Sequence, residues 1–287
     1  MAHPNYKINL PPAAYVLIAV LLWSTGGLFI KLTTLDAYQV TFFRSLLAAI
    51  TVATLTRKRG LKIDAFGVLT SIIYAALLFL FVWATKKTTA ANAIFLQYTA
   101  PIYILILAPF VIGEKFHWRD LLTVIFCIGG MSLFFVGKLE ITDYQGNIAA
   151  LLSGVFLGLY IMLLRHPKAE GFNPAIAVIY GNFLLALLTF PSGISALSVI
   201  VPLDWLAVSF LGIIQIGISY VLFIKGVTGG TRPLDASIIG FIEPLLNPVW
   251  VFLFVGEQPS KWAILGGTII IATVISHTVI HMRGPGQ

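Results

Sequence analysis

Long apolar runs constrain the fold of this chain more than any other feature. The runs approach 20 residues and are separated by short charged or Gly/Pro-rich breaks. A membrane-crossing α-helix needs about 20 apolar residues, whereas a membrane β-strand alternates over about ten. We therefore predict an all-α integral membrane protein with ten transmembrane helices. Their expected bounds are 12–31, 37–56, 64–85, 90–112, 119–136, 147–165, 174–190, 205–225, 234–255 and 261–281.

The fourth and ninth runs share one pattern. Pro101 is followed by a Gly-Glu pair at 113–114, and Pro244 is followed by a Gly-Glu pair at 256–257. The offset is constant, because 244 − 101 and 256 − 113 both equal 143, about half of the 287 residues. This regularity predicts that one structural unit occurs twice in the chain.

The number of helices in each half sets the relative direction of the two copies. Five is odd, so a second copy starts on the side of the membrane where the first ended and is inverted. We expect a first five-helix repeat at 1–140 and a second, inverted repeat at 141–287. Inverted repeats build many secondary transporters, whose substrate binds near the midplane between the halves. The fifth and tenth helices offer only small groups at depth, so eight helices are expected around a central cavity and two at its periphery.

Loop charges indicate the orientation. The net charge is +7, but Lys and Arg lie between apolar runs, where they act as orientation signals and not as nucleic-acid ligands. With the N-terminus inside, twelve of them lie inside and five outside, and the cluster at 57–59 contributes most. Both termini are therefore expected in the cytoplasm. The expected partners are the lipid bilayer and a small-molecule substrate, with no nucleic acid.

Polar and aromatic side chains deep in the runs are the candidate binding groups, because a polar group in lipid costs free energy and its presence there indicates a function. They are mostly uncharged, which favours small neutral or zwitterionic molecules with apolar bodies. Phosphorylated cargo would need several Lys or Arg. A plain packing role for the aromatic residues is the alternative. The candidates are Trp23, Ser24, Tyr74, Gln97, Tyr98, Tyr160, Asn182, Gln215 and Asn247.

Glu243 lies roughly 13 Å into its run at a helical rise of about 1.5 Å per residue. A carboxyl at that depth has to be neutral or paired. It is either a proton site or substrate-amine site, or a structural group bonded to a neighbouring helix. Pro101, Pro244 and Pro248 each remove a backbone donor and are expected to break their helices, at a cavity wall or as simple kinks.

Arg44 lies roughly 10 Å into the second run by the same rise. A guanidinium at that depth can extend to the interface, so we predict a structural charge with a positioning role, and substrate binding is the alternative. The single Cys and five His residues show no metal-ligand spacing within one run, so no metal, cofactor or catalytic group is expected. Gly154 and Gly158 form a GxxxG motif, which predicts a close helix contact. The chain is expected to be either a homodimer through the fifth and tenth helices or a monomer.

These motifs resemble the EamA family of the drug/metabolite transporter superfamily across essentially the whole chain. They are the sequence Leu-Trp-Ser-Thr at 22–25, Phe43-Arg44, and the doubled proline-to-Gly-Glu spacing in two five-helix halves. Within the family, the chain is most similar to the YddG-type aromatic amino acid exporters. The resemblance implies an exporter in the plasma (bacterial inner) membrane, with a central cavity open to one side at a time.

The expected function is therefore a secondary transporter that exports small neutral or zwitterionic metabolites, aromatic and other amino acids first, by alternating access. A multidrug or cationic-compound exporter of the same fold is the nearest alternative. A channel or an intramembrane enzyme is the alternative from another class. An enzyme would need a nucleophile and base, or a metal, at depth. We expect no such catalytic group in this chain. For a transporter, the sequence allows either proton coupling or facilitated diffusion.

Overall fold

The helices of the protein follow the apolar runs of its sequence. The computed structural model describes residues 10–88, 90–133, 136, 144–255 and 261–283, and no β-strand occurs among them. The Gly-Glu pair at 256–257 lies outside the described residues, as do the side chains of Asn247 and Pro248. The helices are α1 (Pro12–Trp23), α2 (Gly26–Leu32), α3 (Ala37–Thr56), α4 (Ala65–Lys87), α5 (Ala90–Gln97), α6 (Ala100–Val111), α7 (Trp118–Leu133), α8 (Tyr144–Leu163), α9 (Ile176–Leu188), α10 (Phe190–Ala196), α11 (Pro202–Ser209), a π-helical segment (Phe210–Ile218), α12 (Ser219–Thr228), α13 (Pro233–Gly240), α14 (Ile242–Val255) and α15 (Lys261–Arg283).

Several of these helices are long and apolar enough to cross a membrane. A further candidate span, α9 with α10, is bent by 65°. The prediction of an all-helical, multi-pass membrane protein is confirmed for the described part of the chain. The fifth, ninth and tenth predicted runs correspond to α7, to α13 with α14, and to α15. Among the described residues, six stretches are each long and apolar enough to cross a membrane without a sharp bend: Pro12–Leu32, Ala37–Arg59, Ala65–Lys87, Asn92–Val111, Tyr144–Leu163 and Pro202–Thr228.

Short polar motifs set the turn between α3 and α4. Asp64 accepts the backbone N–H of Gly67 at 2.7 Å, which caps the start of α4. Gly60 has a φ of 81°, a conformation that glycine adopts without strain, and it ends the basic turn Arg57–Arg59. We call the end of the bundle that holds this turn the basic end. The other end, where α2 leads into α3, is the opposite end.

The fourth and ninth spans are both interrupted. The first interruption, at 98–99, separates α5 from α6, and the second, at Phe241, separates α13 from α14. Pro101 and Pro244 lie in the first turn of the following helix, where a missing backbone donor breaks no intrahelical hydrogen bond. Pro248 does not break its helix, because α14 continues to Val255, so only the simple kink remains of the two expectations for it. Loss of one backbone donor inside a helix is compatible with a kink when the neighbouring turns keep their hydrogen bonds.

Glycines allow the closest approaches between helices. A Cβ added at Gly154 of α8 would lie 2.7 Å from the carbonyl oxygen of Gln97 at the end of α5. One added at Gly158 would lie 3.2 Å from the carbonyl oxygen of Ala100. The predicted close contact at the GxxxG motif is therefore confirmed, and it places α8 directly against the interrupted fourth span.

The two helices expected at the periphery pack against each other. A Cβ added at Gly130 of α7 would lie 3.0 Å from the carbonyl oxygen of Gly266 in α15. The remaining helices pack mainly as α1 with α12, α4 with α8 and α9, and α3 with α9 and the π-helical segment. This packing brings helices from both halves of the chain around one interior space.

Candidate functional site

A small cavity of about 40 Å³ lies at the interrupted parts of the bundle, and we call it the central cavity. Trp23 ends α1, Gln97 ends α5, and Gln215 lies in the π-helical segment. Irregular backbone at membrane depth is tolerated where it lines a cavity or packs against protein. The described residues that line the central cavity are Trp23, Arg44, Leu77, Leu78, Phe81, Gln97, Tyr98, Leu157, Gln215, Ile216, Tyr220 and Glu243.

Glu243 is held by a residue from the other half of the chain. The Tyr98 hydroxyl donates a hydrogen bond of 2.6 Å to Glu243 Oε2, and both side chains are buried. The Tyr98 ring packs on Phe241 with ring centroids 5.6 Å apart. Tyr98 and Phe241 occupy matching positions of the duplicated pattern, because 241 − 98 equals 143. The two helix interruptions therefore meet beside the carboxyl group of Glu243.

Arg44 is buried inside the protein, with an exposed fraction of 1%. The expectation that its guanidinium extends to the interface is therefore wrong. The cause is close packing: a Cβ added at Gly212 would lie 2.8 Å from the Arg44 carbonyl oxygen, so the π-helical segment covers α3. Arg44 Nε and Nη1 make no hydrogen bond with any described residue. Arg44 thus adds a buried cation to the central cavity.

Two of the predicted binding residues are fixed by hydrogen bonds. The Trp23 indole N–H donates to Ser219 Oγ at 2.6 Å, and the Ser219 hydroxyl donates to the Gln215 carbonyl oxygen. The Gln97 amide donates to Ser153 Oγ at 2.6 Å. The Trp23–Ser219 and Gln97–Ser153 bonds each join two different helices. The cavity wall is consequently organised before any ligand binds, which lowers the entropic cost of binding.

A tyrosine cluster, formed by Tyr74, Tyr160 and Tyr220, lies beside the central cavity. The Tyr74 ring centroid is 5.0 Å from those of both Tyr160 and Tyr220. Tyr220 lines the central cavity, whereas Tyr160 lines a second pocket at the basic end, beside Lys62 and Asp64. Aromatic pairs of this kind stabilise by roughly 0.5–1.5 kcal/mol beyond their buried area. The cluster therefore separates the central cavity from the pocket at the basic end.

The other predicted binding residues lie apart from the central cavity. Ser24 accepts the Trp250 indole N–H at 3.0 Å, and Asn182 donates to the Tyr74 hydroxyl at 3.3 Å. Tyr74 and Tyr160 belong to the tyrosine cluster, and the side chain of Asn247 lies outside the described residues. The structure thus brings Glu243 together with Trp23, Gln97, Tyr98 and Gln215.

Sequence reasoning missed Tyr220 and the apolar walls of the central cavity. Tyr220 packs on Trp23 with ring centroids 4.8 Å apart. A signal was present, since Tyr220 is an aromatic hydroxyl only five residues after Gln215 in the same run. The apolar residues had no such signal, because apolar side chains face every direction on these helices.

A charged cluster near the basic end was also missed. Arg232 Nη2 lies 2.6 Å from Asp235 Oδ1, and Arg232 Nη1 lies 3.3 Å from Asp120 Oδ2. His277 Nε2 lies 2.8 Å from Asp235 Oδ1. These contacts join α7, α13 and α15, whereas the sequence suggested no role for His277. No group of three or more His, Cys, Asp or Glu side chains in the described ranges could hold a metal ion.

The fold and the central cavity together define a class of protein. A multi-pass helical bundle around a buried, partly polar cavity is the architecture of a membrane transporter. The model of the EamA-like transporter family matches the chain twice, at residues 10–136 and 144–278. The chain belongs to this family.

Relatives span nearly the whole chain. An uncharacterized transporter of Archaeoglobus fulgidus is 27% identical over 92% of this chain and 94% of its own. The pseudopaline exporter CntI of Pseudomonas aeruginosa is 24% identical over 91% of this chain and 94% of its own. A solved crystal structure superposes with a TM-score of 0.75 at 18% identity, covering 95% of this chain and 99% of that one. The similarity to this crystal structure concerns the fold alone.

Proposed function

We propose that this transporter exports small neutral or zwitterionic metabolites, with aromatic and other amino acids as the first cargo class. The observation that carries the proposal is the wall of the central cavity, where the rings of Trp23, Tyr98 and Tyr220 lie beside fixed polar groups. Flat apolar surfaces with a few oriented polar groups suit a small molecule with one apolar side. The rings would pack on the cargo body, and Glu243 would take a proton or the cargo amine.

We propose further that the ten spans form two inverted five-helix repeats, 1–140 and 141–287. The double match of the family model supports this division. So does the contact of Tyr98 with its equivalent Phe241, since residues on a twofold axis contact their own counterparts. The described residues that line the central cavity come from seven of the ten spans, and none comes from α7 or α15, which supports a peripheral position for these two helices.

The proposed mechanism is alternating access in the bacterial inner membrane, with the two halves rocking about the interruptions at 98–99 and Phe241. Both termini and the basic end would face the cytoplasm by the positive-inside rule. The tyrosine cluster would then close the cytoplasmic side of the central cavity. Export is favoured by the relative that is named as an exporter of pseudopaline.

The packing of α7 on α15 favours a monomer over a homodimer. Gly130 is already used in the contact with α15 of the same chain. Gly129 remains open, since a Cβ added there would meet nothing within 4 Å. A homodimer through this pair of helices would have to use the face that contains Gly129.

Cationic compounds are the second candidate cargo, and one observation favours them. Glu243 is a buried carboxyl beside aromatic faces, and both attract organic cations. The buried guanidinium of Arg44 in the same wall opposes a cation. For this reason we rank amino acids first.

Flux into proteoliposomes tests the proposal. The panel contains labelled Phe, Tyr, Trp, other amino acids and cationic dyes, each with and without a pH gradient. We expect carrier-type, saturable flux of aromatic amino acids, reduced about tenfold or more by Trp23→Ala, because the ring and its hydrogen bond to Ser219 are lost. Trp118→Ala is the matched control, since Trp118 is exposed at a helix start.

Three outcomes would contradict the proposal. Movement of dyes without any amino acid would assign the cationic alternative. Non-saturating flux well above carrier rates would indicate a channel. Equal loss of flux in Trp23→Ala and Trp118→Ala would remove Trp23 from the binding site.

A further inference from the structure

We propose that Arg44 is the carboxylate-binding group of the central cavity, so that the protein selects cargo by a carboxylate that Arg44 holds directly. This assignment rests on the proposed transport of zwitterionic cargo and names the group that recognises it. From the sequence, a structural or positioning role was expected for Arg44, with substrate binding as the alternative.

The first argument is the state of the Arg44 side chain. It is one of the largest fully buried side chains, and its Nε and Nη1 atoms have no hydrogen-bond partner among the described residues. No ion pair links it to a described carboxylate, whereas Arg232 has two. A guanidinium that is permanently charged and buried needs acceptors, and its planar edge matches the two oxygens of a carboxylate.

The second argument is the distribution of charge around the cavity. Arg44 comes from α3 and Glu243 from α14, and both line the same space. Glu243 accepts a hydrogen bond from Tyr98, and the Gln215 side-chain oxygen is buried without a partner in the described part of the chain. The lining therefore offers donors from Arg44 and acceptors from Glu243 and Gln215. This arrangement complements a molecule with a carboxylate at one point and an amine at another.

The third argument separates a carboxylate from a phosphate. A phosphate dianion is usually held by several basic groups. Arg44 is the only Lys or Arg among the described residues that line the central cavity, and Glu243 in the same wall repels a dianion. A monoanionic carboxylate needs only one guanidinium, so the cavity suits it better.

The rest of the cavity accommodates an apolar body. Leu77, Leu78, Phe81, Leu157 and Ile216 complete its lining. The cargo that fits is consequently a small molecule with a carboxylate, an amine and an apolar side chain. Removal of the carboxylate should abolish recognition, whereas changes to the apolar side chain should be tolerated.

Binding of four matched ligands to the detergent-purified full chain tests this assignment by calorimetry. They are phenylalanine, phenylalaninamide, phenethylamine and 3-phenylpropanoate, and the proteoliposome panel of amino acids and dyes runs in parallel. We expect the wild-type protein to bind phenylalanine and 3-phenylpropanoate at least tenfold more tightly than the two ligands without a carboxylate. Arg44→Gln should abolish this preference, and Arg44→Lys should restore part of it, because the charge returns without the planar edge. Arg57→Gln is the matched control at an exposed arginine of the basic end.

Each outcome decides between the two proposals. If wild type moves phenylalanine but binds its amide equally well, or if Arg44→Gln keeps the preference, the role of Arg44 is overturned and the proposed function stands. If the protein moves dyes but neither binds nor moves any ligand that has a carboxylate, both the role of Arg44 and the proposed function are overturned. Should the Arg44 variants fail to fold, the comparison of acid with amide on the wild-type protein remains decisive.

Discussion

At the scale of single residues, the structure gives Glu243 a specific environment. It is buried in the ninth span and receives the Tyr98 hydroxyl from the fourth span. A carboxyl group in this position changes its interactions when it gains or loses a proton, and that change is felt in both halves of the chain. Glu243 is therefore suited to couple proton binding to movement of the halves.

Substitution of Glu243 by Gln tests this coupling. We expect the transport rate of wild type to depend on pH across about pH 5 to 9, and Glu243→Gln to show a flat profile, because glutamine cannot titrate. The measurement is the initial rate of efflux from proteoliposomes at a series of pH values. Glu170→Gln, at an exposed turn, is the matched control. A profile of Glu243→Gln that follows the wild type would exclude a proton site at Glu243.

At the scale of helices, the arrangement of the cavity depends on close contacts made by glycines. Gly154 of α8 lies against the last carbonyl groups of α5, with Gln97 O 2.7 Å and Leu96 O 3.2 Å from an added Cβ. Those carbonyls belong to the backbone and cannot rotate away. The contact therefore sets the distance between α8 and the interrupted fourth span, and with it the position of the Gln97 side chain.

Gly154→Ala should destabilise the protein by about 1–3 kcal/mol, because the added methyl group forces the two helices apart. It should also lower transport, since Gln97 moves with α5. The measurements are the thermal midpoint in detergent and the flux in proteoliposomes. The matched control is Gly129→Ala, which meets no atom within 4 Å. That variant should be neutral or slightly more stable, because alanine favours a helix over glycine by up to about 1 kcal/mol. Equal midpoints for the two variants would contradict the close contact.

At the scale of the whole molecule, the halves are joined at the opposite end by Asp204. Its carboxylate accepts the backbone N–H and the hydroxyl of Thr34, both at 2.8 Å. Thr34 lies between α2 and α3, whereas Asp204 lies in α11, so the bonds connect the two halves. The tyrosine cluster lies toward the basic end. Alternating access would require each of these two regions to separate in turn.

Asp204→Asn should favour the state that is open at the opposite end, because the amide keeps only one acceptor oxygen and no charge. The measurement is the labelling rate of Phe81→Cys in the central cavity by a membrane-impermeant maleimide, in a Cys127→Ser background. We expect the labelling rate from the opposite end to rise about tenfold. This corresponds to a shift of about 1.4 kcal/mol toward the state that is open at that end. The matched control is Asp36→Asn, where the carboxylate caps only its own helix. Unchanged labelling in Asp204→Asn would show that this contact does not hold that end closed.

The sequence by itself determined the helical membrane fold, the interruptions before Pro101 and Pro244, and the close contact at Gly154. Each of these follows from a local property: apolar length, a missing backbone donor or a missing side chain. It also located buried polar residues such as Gln97 and Glu243 near the correct depth. Only the tertiary structure decided that Arg44 and Tyr220 line the central cavity and that Ser24 and Tyr160 do not. The physical reason is that lipid is as apolar as the protein interior, so these helices carry no polar face, and their rotation is set by the helices that pack against them.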